Sequence, residues 1–294
     1  MNRMHITVFI VSSILFMSSS NGQAPLTPQQ FSQYAELFSS SDGSGTCRDE
    51  EIIESDSTYF LLLDTTDPLD PEQTQFVLDN YVNQWRFEKG DRFTVMTLSD
   101  EPVETASFYS FCAPLHEEDA NWFFDGPAKV KAMNMFFSQV LHYAVTELAE
   151  RFTVESDTSL LLEALQQAYI NSRYGFTEEE KNRKLILVSD LFQNSGRISF
   201  FDLCRPTKKG IFAGPSPLVC PSFEETRTSD PMIENSIRLA TASIELDSGD
   251  SVEIYYRNVD ERIDASAEPW WRGYFSSIGL SEDNLEFTYQ LGAL

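Results

Sequence analysis

Two apolar runs in this chain end in the same way. Tyr59-Phe60-Leu61-Leu62-Leu63 breaks into Asp64-Thr65-Thr66-Asp67, and Leu185-Ile186-Leu187-Val188 breaks into Ser189-Asp190. Short, unbroken apolar runs are how strands buried on both faces read, which is the habit of parallel sheets. Further strand patterns lie at 93–98, 107–112, 252–256 and 285–289. Between them the apolar spacing turns helical. Pro71 suits a first helical turn and is followed by Phe76, Val77, Tyr81 and Trp85. A long helix is predicted over 128–152, with Val130, Met133, Phe137, Val140, Leu141, Ala144 and Leu148 on one face. Shorter helices are expected at 160–170, 232–242 and 267–278. The link between 93–98 and 107–112 is too short for a helix, so these two strands should be antiparallel neighbours. Elsewhere strand and helix alternate. The expectation is a doubly wound α/β fold: one domain, a mostly parallel sheet and one antiparallel edge strand.

Three regions stand outside that alternation. Residues 1–24 carry Arg3, an apolar run over 6–17, and a small polar stretch with Gly22 and Ala24 in the −3 and −1 places of a cleavage site. This reads as a secretory signal peptide, so the mature protein is expected to be exported, periplasmic or secreted. Pro25 suits the position after a cut poorly, which leaves cleavage after Gly22 as a second choice. An uncleaved N-terminal anchor is the alternative, although the run is short for a membrane span. No other apolar segment is long enough to cross a bilayer. Residues 25–56 are polar, with a short helix expected at 29–38 and a linker over 39–45. Residues 57–294 are the expected folded domain. Within it, 191–227 is rich in proline and glycine and reads as an irregular insertion.

Charge narrows the range of partners. Across 294 residues, 46 acids face 21 Lys and Arg, a net −25. Such a chain repels nucleic acid and anionic lipid. Divalent cations and basic partners remain, and adaptation to salt is the bland explanation. Gly-x-Ser-x-Gly, P-loop, His-Glu-x-x-His and Gly-x-Gly-x-x-Gly motifs are absent from the sequence. Trp270, Trp271, Tyr274 and Phe275 read as the core face of the last helix, and a sugar platform there is the weaker reading.

The chemistry that remains lies at the strand ends. In open α/β sheets ligands bind beyond the carboxyl ends of the strands. The carboxylates and hydroxyls at 64–67 are hard oxygen donors of the kind Mg²⁺ and Ca²⁺ take. Between the two acid-ended strands lies Asp157-Thr158-Ser159, directly before Leu160-Leu161-Leu162-Glu163-Ala164-Leu165. This arrangement resembles the von Willebrand factor A (vWA) domain, whose metal-ion-dependent adhesion site uses Asp-x-Ser-x-Ser, a Thr before a helix, and a later Asp. The resemblance implies Asp64 as the first Asp, Thr66 as the first Ser, Ser159 as the Thr and Asp190 as the last Asp. It also implies a divalent cation such as Mg²⁺, and a carboxylate from a partner protein in the open position. Pro68 departs from the pattern by standing where the second Ser belongs, and Asp67 beside it is the nearest substitute oxygen. The chain further resembles a group of exported bacterial vWA-like proteins. The shared motifs are Cys112-Ala113-Pro114, Ser189-Asp190-Leu191-Phe192-Gln193-Asn194 and Trp271-Arg272-Gly273-Tyr274-Phe275.

Four cysteines, Cys47, Cys112, Cys204 and Cys220, form no Cys-x-x-Cys, and an even count in an exported chain favours disulfides. Cys47 precedes the first strand, and Cys112 ends an antiparallel one, so both fall at the bottom of the sheet. Cys204 and Cys220 both follow the fourth strand, at the top. Cys47–Cys112 and Cys204–Cys220 is the economical pairing. Zinc is disfavoured, because His116 and His142 stand at no ligand spacing.

The expectation is a protein-binding module and not an enzyme. A metal-dependent hydrolase built on the same carboxylates is one alternative. The other is a metal-free scaffold in which Asp64, Asp190, Asp157 and Ser159 only cap loops and helix ends.

Overall fold

The computed structural model describes residues 26–39, 57–66, 69–83, 87–98, 106–116, 118–120, 126–150, 156, 158–170, 182–206, 218–241, 244, 246, 248–256 and 264–289. The first element, α1 (Pro28–Phe38), opens on Thr27 and Gln30, whose side chains each take the other's backbone N–H. α1 is part of the core. Phe31 stacks on Tyr143 at 4.4 Å and meets Tyr109 edge-on at 5.1 Å. The folded unit therefore takes in residues ahead of the first strand.

β1 (Ser57–Asp64) leads through α2 (Pro71–Tyr81), capped by Asp70 and Gln73, to β2 (Arg92–Leu98). β3 (Phe108–Cys112) returns antiparallel to β2, as the short link requires. Two helices follow, α3 (Pro127–Glu150) and α4 (Leu161–Ile170), and then β4 (Asn182–Ser189). The stretch expected to be irregular holds a short helix α5 (Phe200–Leu203), a two-rung hairpin of β5 (Arg205–Pro206) and β6 (Leu218–Val219), and α6 (Phe223–Ser229). α6 carries a Ser222/Glu225 capping box, spelled by Ser222-Phe223-Glu224-Glu225, which the reading of this stretch as irregular passed over. α7 (Pro231–Thr241), β7 (Ser251–Tyr256), α8 (Asp264–Ser277) and β8 (Leu285–Tyr289) complete the chain.

Six strands form one sheet in the order β3-β2-β1-β4-β7-β8, parallel throughout except for the β3 edge. Side chains alternate between its faces. Phe60, Leu62, Leu185, Leu187, Val252 and Ile254 pack under α4, α7 and α8. Leu61, Leu63, Phe93, Val95, Ile186 and Val188 pack under α1, α2 and α3. With helices on both faces, the sheet is doubly wound. Cys204 is bonded to Cys220, one residue outside each strand of the small hairpin. Cys112 is also disulfide-bonded, and its expected partner Cys47 lies outside the described residues. Among the described residues no helix is long and apolar enough to cross a membrane.

Candidate functional site

The sheet order reverses between β1 and β4. The chain leaves β1 toward β2 on one side, and leaves β4 toward β7 on the other. Such a switch point, at the carboxyl ends of the strands, is where open α/β sheets hold ligands. Asp64 closes β1 there and Ser189 closes β4.

Asp64 is fully buried, and its carboxylate accepts from three chain segments. Oδ1 takes the Thr66 hydroxyl at 2.6 Å and the Thr66 N–H at 3.1 Å. Oδ2 takes the Ser189 hydroxyl at 2.7 Å and the Ser159 hydroxyl at 3.4 Å. Burying a carboxylate costs a great deal unless such donors replace water. The 3.4 Å contact is the weakest of the four, because hydroxyl hydrogen bonds normally close to about 2.7–2.8 Å.

Backbone contacts hold the three segments in register. Thr65 gives both its N–H and its hydroxyl to the Leu98 carbonyl, each at 2.9 Å, which fixes the turn to the end of β2. The Ser156 N–H reaches the Thr66 carbonyl at 2.9 Å. Ser159 and Asn194 exchange both backbone hydrogen bonds, each at 2.9 Å. Gln193, fully buried, accepts the Leu162 N–H on Oε1 at 2.9 Å and donates from Nε2 to Glu163 at 3.2 Å. The start of α4 is thus capped by a side chain from the loop after β4.

The structure brings Asp64, Thr66 and Ser159 into one cluster. Asp190 comes directly after Ser189 at the end of β4, where its Oδ1 accepts the N–H of Phe192, two residues on, at 2.9 Å. Asp67, Pro68 and Asp157 lie outside the described residues. Ser189 is the member that sequence reasoning did not assign. Strand alternation contains the signal, since Leu185, Leu187 and Ser189 share a parity and the first two face the same side as Phe60 and Leu62. Gln193 was missed as well, because its cap reaches a helix 31 residues earlier in the chain.

The donor set consists of one carboxylate and three hydroxyls, all hard oxygens, and so suits Mg²⁺ or Ca²⁺. A carboxylate has about four acceptor positions. All are filled here by protons, so a cation must take the place of at least one hydrogen bond, with Ser159 the cheapest to displace. Among the described residues, no group of three or more His, Cys, Asp or Glu is gathered for a metal. No protein-family model matches the chain, and no curated protein matches it.

Proposed function

We propose that the protein is an exported vWA-like module that binds another protein at the carboxyl end of its sheet, through a divalent cation seated on Asp64, Thr66 and Ser159, with Asp190 reached through water. The observation that carries this reading is the convergence of those three residues at the topological switch point, from loops about ninety residues apart in sequence. The sheet order and its antiparallel edge agree with the resemblance. When bound, the cation supplies an open coordination position for a carboxylate of the partner. The chain's own residues do the rest: Asp64 provides the charge, and Thr66 and Ser159 provide neutral oxygens. The rigid pairing of Ser159 with Asn194 holds its hydroxyl opposite Asp64.

One observation favours a second reading. Four protons already satisfy Asp64, which is what a metal-free scaffold needs.

Calorimetric titration with Mg²⁺, Mn²⁺ and Ca²⁺ on the wild type and Asp64→Ala separates the two. Heat in the wild type that vanishes in the variant is expected. Absence of heat in both leaves the scaffold. Turnover of phosphoester or peptide substrates by the metal-loaded protein would replace the binding module with a hydrolase.

A further inference from the structure

We infer that Ser189 is a further oxygen of the cation seat, and that Leu191 and Trp271 are the residues that position it. This rests on the reading of Asp64 as a cation seat.

A serine hydroxyl has one proton and two lone pairs. Ser189 commits its proton to Asp64 Oδ2 at 2.7 Å and one lone pair to the Leu191 N–H at 2.8 Å. The Leu191 N–H fixes the rotation of the hydroxyl, so the proton points at Asp64. The second lone pair remains, on an oxygen in direct contact with the carboxylate that would carry the charge of the site.

Leu191 delivers its N–H from a left-handed backbone. Its φ is 62°, and it is the one non-glycine residue of positive φ among the described residues. A bulky residue stays in that region only where its surroundings over-determine it. Two contacts do so. The leucine side chain is fully buried in the core between α4 and α8. Its carbonyl accepts the Trp271 indole N–H at 2.9 Å. Trp271 is itself fully buried, edge-on to Trp270 at 5.1 Å and to Tyr274 at 5.5 Å. The run Ser189–Asn194 and the α8 run starting at Trp271 are thereby joined. A tryptophan 80 residues from Leu191 sets the backbone that orients a hydroxyl at Asp64.

The test titrates Mn²⁺ into four full-length proteins by calorimetry: wild type, Asp64→Ala, Ser189→Ala and Trp271→Phe. Melting temperatures are taken in parallel. Ser189→Ala removes a single hydroxyl, whose effect on folding the melting temperature reads, and Trp271→Phe removes the indole N–H while keeping an aromatic ring. Ser189→Ala is expected to weaken Mn²⁺ at least tenfold, and Trp271→Phe about threefold to tenfold. In metal-free protein, the Leu191 amide should exchange with solvent faster in Trp271→Phe than in the wild type. Wild-type affinity in Ser189→Ala, beside a wild type that binds and Asp64→Ala that does not, overturns the role of Ser189 and leaves the cation seat standing. A lowered melting temperature in Trp271→Phe with unchanged Mn²⁺ affinity reduces Trp271 to core packing and overturns its positioning role. A wild type that takes up no Mn²⁺ removes the cation seat itself, and this inference with it.

Discussion

Arg183 and Asp250 form a two-point ion pair sealed inside the protein, at the end of the sheet opposite Asp64. Nε meets Oδ1 at 3.0 Å and Nη2 meets Oδ2 at 2.5 Å, with the two side chains 2% and 1% exposed. The Arg183 N–H also reaches Oδ1 at 3.1 Å, and the Tyr169 ring lies 5.4 Å from the guanidinium. The pair ties the start of β4 to the turn before β7. Removing one partner leaves the other charge buried and alone, which costs about 3–5 kcal/mol. Asp250→Ala should lose that much in urea denaturation. A loss below about 1 kcal/mol would mean that water reaches the guanidinium.

Gly273 is a close-approach glycine. A Cβ placed on it would lie 2.6 Å from the Cβ of Phe223, so α6 rests directly on the α8 backbone. Helix propensity alone favours Gly273→Ala by about 1 kcal/mol. Overpacking against a Cβ that cannot rotate away costs about 1–3 kcal/mol. The clash is expected to prevail, and Gly273→Ala should lower the melting temperature. A raised melting temperature would show that α6 yields.

The Cys204–Cys220 bond closes a loop of 16 residues' separation. Constraint of the unfolded chain by a loop of about this size stabilises by about 3 kcal/mol in the chain-entropy model. Replacing both cysteines with serine should lower stability by up to that amount in the absence of reductant. In that double variant, reductant should have no further effect through this bridge.

Alkaline pH should unfold the protein. Burial, then the charges of Asp91 and Glu88, push the Tyr59 hydroxyl from an ordinary 10 up to about 12. Burial holds Tyr81, Tyr169 and Tyr274 well above the ordinary value too. The unfolded chain releases these protons first, so the native state binds more of them above pH 10, and stability falls with rising pH. The contribution is complete below 10 and, for Tyr59, is lost between 10 and 12. Denaturation midpoints should be level up to pH 10 and drop beyond it, with tyrosinate absorbance rising as structure is lost. Full ionisation near pH 10 in a protein that is still folded would contradict this.

The fold was legible because burial on both faces leaves an unbroken apolar run at 60–63 and 185–188, and because a short link forced β3 to run antiparallel. The pairing of Cys204 with Cys220 followed from strand direction in the same way. The site was legible only in part. Asp64 stands out as a polar break in apolar text, whereas Thr66 and Ser159 are singled out only by the resemblance to the vWA motif. Ser189 looks like the tail of a strand, and its role depends on which side of the sheet it faces. Trp271 reads as core, and it is core. That its indole N–H serves Leu191 is a long-range relation that no local pattern encodes.

The crosslinked hairpin after α5 enters and leaves the fold at one place, since the Cα atoms of Cys204 and Cys220 are 4.0 Å apart. Whatever the chain carries between those cysteines is therefore anchored like a graft. A different sequence placed between them is expected to leave the six-strand pairing of the central sheet as it is, because the bridge holds both ends of the segment and the hairpin is a sheet of its own.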